Sequence, residues 1–150
     1  MHRAKAWRDD GGAAAVEFLL VGLILLVPIV YLVIALGQIQ SGSFAAETAS
    51  RQIARGVAAA QNAEHARERV EQTARAVAAE YGIERQELEV DIACRPATAL
   101  CPSAGATLVV TVRVRVALPL VPDVFGAQQK TRVAVEATSV QKMSRLWSAG

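Results

Sequence analysis

Apolar residues dominate the chain from Ala13 to Gly37, and the stretch from Phe18 to Ala46 contains no charged residue at all. As a helix rising about 1.5 Å per residue, the 25 positions from Ala13 to Gly37 extend roughly 37 Å, more than the ~30 Å of bilayer hydrocarbon. The pattern therefore predicts a membrane-spanning helix with some tilt. Pro28 falls in the middle of the span, where it removes one backbone donor and is expected to kink the helix. Membrane helices tolerate such a residue.

Beyond Gln38 the pattern becomes mixed through Ala60, and the helix is expected to continue outward as an extension over 38–60, with Gly42 and Gly56 as weak points and a hinge near 41–43 as the alternative. Asn62 suits the N-cap of a second helix, in which Ala66, Val70, Ala74, Val77 and Tyr81 share one face. The opposite face is charged, with Arg67, Glu71 and Arg75 at four-residue spacing, each pair worth a few tenths of a kcal/mol. Gly82 supplies a natural stop. The period then changes to two. Leu88, Val90 and Ile92 alternate with Glu89 and Asp91; Val110, Val112, Val114, Val116 and Leu118 alternate with Arg113 and Arg115; Val133 and Val135 share a face. Half-buried strands of this kind predict an α+β fold: a small antiparallel sheet with its apolar face packed on the second helix, and acids of the first strand pairing with arginines of the second. Pro119, Pro122 and Gly126 mark a long connection before the last strand, apolar at Leu120, Val121, Val124 and Phe125. Trp147 closes the chain as either a loose end or a docking aromatic.

Composition sharpens this outline. The 150 residues are 53% hydrophobic with a formal charge of +2, and bases alternate with acids instead of clustering. That distribution lacks the footprint of a nucleic-acid partner. Once the anchor is set aside, about 110 residues remain, enough for one small domain. Arg3, Lys5 and Arg8 precede the span, so the positive-inside rule leaves the N-terminus cytoplasmic and the rest outside. A cleaved secretory signal fits poorly, because its apolar core is about 7–15 residues long. Cys94 and Cys101 are the two cysteines. Outside the cytosol they read as a disulfide closing a short loop, and inside it as free thiols. A structural zinc would need four ligands, and His65 alone is a nearby candidate. His2 lies before the span and His65 on the charged helix face, and no triad, paired-carboxylate, phosphate-loop or metal-ligand spacing occurs. A non-enzyme without cofactor is expected.

One residue resists the picture of a plain anchor. Glu17 lies a few residues inside the span, where a carboxylate costs up to about 2.5–3.5 kcal/mol at mid-bilayer, so it usually marks a function. The stretch "GG-AAAVEF-LLVGLILLVP" resembles the processing site of type IV pilin-like proteins: a short basic leader, a glycine, four small or apolar residues, then glutamate, an aromatic and a long apolar helix. The Glu17-Phe18 pair is similar to the tight adherence (Flp, type IVb) branch. Chain length, the alanine- and arginine-bearing "FAAETASRQIARGVAAA" and an outer domain with a cysteine pair resemble its TadE-like minor pseudopilins.

That resemblance implies a leader over 1–12, cleavage between Gly12 and Ala13 by a prepilin peptidase, and a transmembrane helix over 13–37. The extracytoplasmic extension over 38–60 then leads into an outer α+β domain over 61–150. It implies partners as well: the peptidase, a main Flp-type pilin, a sister pseudopilin, the inner-membrane assembly platform and the lipid bilayer. Glu17 and Phe18 would serve assembly, the carboxylate meeting the new ammonium of Ala13 in the same or a neighbouring subunit. The implied location is the bacterial cytoplasmic membrane, with possible incorporation into a pilus. The alternative is an uncleaved single-pass protein whose Glu17 snorkels to the interface and whose outer domain binds a ligand or envelope partner.

Overall fold

The computed structural model describes residues 10–97, 101–118 and 132–147. The basic residues Arg3, Lys5 and Arg8, and the connection bearing Pro119, Leu120, Val121, Pro122, Val124, Phe125 and Gly126, lie outside these. Helix α1 spans Asp10–Ala58 and helix α2 Ala63–Glu80; after a single 3-10 turn at Arg85–Glu87 come strands β1 Leu88–Arg95, β2 Thr107–Ala117 and β3 Arg132–Lys142. The strands form one antiparallel sheet in the order β1-β2-β3. The fold is α+β.

The helix α1 is 49 residues long and continues through Pro28, Gly42 and Gly56. The helix continues as expected, without the alternative hinge at 41–43, and the reason is packing. A Cβ built on Gly42 would collide with Val116 Cγ2 and stand 3.3 Å from Val135 Cγ2, so this glycine lets the helix backbone approach β2 and β3. From there a stripe of Ala45, Ala46, Ala49, Ile53, Ala54 and Val57 continues along one face, all buried. Small residues at a three- and four-residue repeat bring two backbones close, and the sheet takes the opportunity.

This changes one expectation. The principal cover of the sheet is the second half of α1, which packs on β2 and β3, while α2 lies alongside α1. The predicted face of α2 is nevertheless correct: Ala66, Ala74 and Val77 are buried, and Val70 and Tyr81 pack against the core. Asn62 Oδ1 accepts the amide of His65 at 2.9 Å as the N-cap, and Gly82 adopts φ of 64° just past the end. In the sheet, Leu88, Leu108, Val110, Val112 and Val114 are fully buried, with Val90 opposite Val112 and Val114 opposite Val135. Trp147, 8% exposed, belongs to this core.

The two ends of the folded unit are distinct. Gln38, Ser41, Tyr81, Arg115 and Arg132 surround one cavity, whereas Val57, Ala63, Ile92 and Cys101 surround another. Thus α1 runs from the first end to the second, α2 returns, and the strands alternate. The first end is the one joined directly to the apolar half of α1.

Candidate functional site

Among the described residues, the apolar half of α1 meets no protein partner over 14–30. From Val16 to Leu36 its large side chains are exposed apart from the half-buried Tyr31, Phe18 to 79%, and Ala35 is the first buried residue. It is the one helix among the described residues long and apolar enough to cross a membrane. Exposure of the consecutive positions 14–30 in water would be a severe aggregation liability, so the surface requires an apolar environment.

Gly12 and Ala13 lie near the start of α1. Glu17 follows Ala13 by four residues, one helical turn or about 6 Å of rise. Both therefore fall on the same helical stripe. Val16, Leu20 and Val21 around the carboxylate are apolar and exposed, and among the described residues no ion pair or hydrogen bond engages Glu17. Phe18 is exposed beside it. Pro28, expected to mark a kink, is enclosed by uninterrupted helix.

Cys94 and Cys101 are bonded to each other, with Cα atoms 5.5 Å apart. The disulfide sits at the end of β1 remote from the apolar helix, beside Val57, Ala63 and Ala66. His65 is exposed on α2, and among the described residues no group of three His, Cys, Asp or Glu side chains converges on a metal position.

The ionic arrangement departs from simple helix spacing. Glu71 bonds Arg75 at 2.8 Å and Arg85 at 2.7 Å, and Arg67 is not its partner. Arg85 in turn donates to the Leu88 carbonyl at 2.6 Å, tying α2 to the start of β1. On the open face of the sheet, Arg113 reaches Glu136 on β3 at 2.6 Å, and Arg115 crosses diagonally to Glu89. The anticipated pairing of β1 acids with β2 arginines thus occurs through Glu89 and Arg115, while Arg113 turns the other way. Arg132 pairs with Glu87.

The guanidinium of Arg85, followed by that of Arg75, holds the Glu71 carboxyl below its usual value. Because the folded-state value is depressed, the associated stability is present above the unfolded value, near pH 4, and is lost as pH falls through the folded one. The Glu71 side chain is 41% exposed, which screens the effect. Glu71→Gln is expected to cost about 0.5–1 kcal/mol at pH 7 and almost nothing below about pH 3. Urea unfolding of the full chain in detergent at the two pH values checks this; an equal cost at both would assign the loss to packing.

Two features were not foreseen in the linear pattern. The stripe from Gly42 to Val57 was visible at a helical repeat, but the charged residues between its members made the segment read as mixed. The cavity at the membrane-proximal end draws on α1, the α2–β1 connection, β2 and β3, and no local spacing announces it.

Comparison of the chain with models of known protein families, with curated proteins and with solved structures returns no match.

Proposed function

We propose that this chain is a prepilin-like minor subunit of the TadE-like kind. Inserted with its N-terminus in the cytoplasm, it is cut between Gly12 and Ala13 by a prepilin peptidase. It then assembles through Ala13, Glu17, Phe18 and the apolar face of α1 into a tight adherence (Flp, type IVb) pilus or related secretion apparatus. The main pilin, a sister pseudopilin and the inner-membrane platform are its partners. The protein is structural and performs no catalysis.

The observation that carries the reading is the apolar half of α1, exposed over 14–30 and interrupted by one carboxylate a helical turn beyond Ala13. A plain anchor accounts for the apolar surface but assigns Glu17 no task. In an assembly, the same surface packs against equivalent helices and the carboxylate meets an ammonium. The folded unit hangs from the far half of the same helix, so cleavage would leave its core intact.

Intact mass and N-terminal sequencing of the protein from its native membrane test the proposal. A chain beginning at Ala13, restored to full length by Gly12→Asp, is expected. A wild-type chain retaining residues 1–12 would favour the uncleaved single-pass protein with an extracytoplasmic binding domain.

A further inference from the structure

The membrane-proximal cavity has a volume of ≈ 210 Å³ and is lined by Gln38, Ser41, Glu84, Glu87, Arg115 and Arg132, among others. Pockets for drug-sized ligands occupy about 300–1,000 Å³, so this one suits a fragment. Among the described residues its formal charges balance, two carboxylates against two guanidiniums. Each guanidinium spends one terminal nitrogen on an acid, Arg115 on Glu89 and Arg132 on Glu87. The five-donor fork of arginine leaves further N–H groups for another oxyanion. On the acidic side, Glu87 Oε2 is buried and has no hydrogen-bond partner among the described residues, and the side chain is 14% exposed. A buried carboxylate oxygen without a donor is costly and marks a place where a donor belongs.

The height of the cavity identifies its occupant. Gln38 and Ser41 lie one and four residues past Gly37, about 1.5 and 6 Å further along the helix. A bilayer is about 40–45 Å thick with its headgroups and about 30 Å without, which leaves roughly 5–7 Å of headgroup layer on each side. With the apolar half of α1 in hydrocarbon, the cavity stands within that layer. From these observations we propose that it binds the headgroup of a zwitterionic phospholipid bearing a primary ammonium, a phosphoethanolamine lipid. The phosphate takes the free N–H groups of Arg115 and Arg132, and the ammonium donates to the Glu84 carboxylate and, with the Glu87 side chain turned to present its buried Oε2 to the cavity, to Glu87 as well. A quaternary ammonium has no N–H to give, so a phosphocholine lipid satisfies only half of the site. The proposal rests on the membrane-spanning part of the reading above and is independent of cleavage.

The test uses the full chain in nanodiscs and native mass spectrometry of lipid retained after release. Discs contain phosphatidylglycerol mixed with either phosphatidylethanolamine or phosphatidylcholine. Wild type is expected to retain the ethanolamine lipid about tenfold over the choline lipid, the worth of a charge-assisted hydrogen bond. Glu84→Gln and Glu87→Gln, which preserve shape, should reduce that preference; Arg115→Ala and Arg132→Ala should lower retention of both lipids. Amide exchange of β2 confirms that each variant is folded, and Arg115→Lys provides a variant that keeps the charge. Equal retention of the two lipids by wild type, or an unchanged preference in the folded glutamine variants, overturns the site. Displacement by an equal concentration of free glycerophosphoethanolamine overturns the lipid as its source. Extraction of the protein from native membranes by carbonate would instead defeat the membrane reading, and Gly12→Asp protein with wild-type lipid retention separates the site from processing.

Discussion

Gly42→Ala is expected to destabilise the chain by about 1 kcal/mol, although the same change in an exposed helix would stabilise it by about as much. Two terms compete. Alanine gains helix propensity, but its Cβ meets Val116 and Val135 where the helix lies against the sheet. Both neighbours are β-branched and stiff at χ1, so they yield poorly, and overpacking of this kind costs about 1–3 kcal/mol. Gly42→Leu should cost more than about 3 kcal/mol, since a larger side chain adds volume beyond a Cβ that already collides with Val116. Gly56 is the internal control. The nearest atom to a Cβ there is Arg69 Cβ at 3.6 Å, an ordinary contact, and Gly56→Ala should stabilise by about 0.5–1 kcal/mol. Urea unfolding of the full chain in detergent, followed by amide exchange of β2, reads both signs. If both alanines stabilise, the close approach at Gly42 does not exist.

The same contact shows where sequence reading succeeds and where it stops. Elements with a single strong local signal were legible: Asn62 and Gly82 bracket α2, and the alternating valines of β2 place their faces correctly. Which helix covers the sheet was less so. Both candidate helices are alanine-rich, and α2 has the cleaner division into apolar and charged faces. The choice turned on backbone approach, which favours the stripe containing Gly42, a residue whose low helix propensity first suggests a hinge. Long-range ion pairs were only half legible for a similar reason. Glu71 could be matched to Arg75 by spacing, but Arg85 reaches it only because the chain turns at Gly82. The candidate assembly residues present the opposite case. Glu17 and Phe18 were conspicuous in the sequence because nothing near them is charged, and the structure adds that no described residue of the same chain meets them.

Glu17→Ala is expected to insert and be processed as wild type, yet to lose at least about tenfold in co-isolation with the main pilin. The two halves of the prediction have one electrostatic origin. A carboxylate in the span costs up to about 2.5–3.5 kcal/mol at mid-bilayer and less near the interface, so alanine removes an obstacle to insertion. In the proposed assembly, the ammonium that cleavage would create at Ala13 would lie one turn from Glu17 on its own helix and within reach of a staggered neighbour. Two unit charges 4 Å apart attract by about 4 kcal/mol at an effective dielectric of 20, comparable to the burial cost, so pairing offsets the penalty and fixes the axial offset of the subunits. An uncharged side chain offers neither term. Glu17→Gln separates charge from shape and should fail almost as completely as alanine, whereas Glu17→Asp, shorter by one methylene, should retain part of the effect. Normal co-isolation of the glutamine variant would show that the carboxylate's charge is not what aligns the helices, and would return Glu17 to the cytoplasmic interface as an unpaired residue of an ordinary anchor.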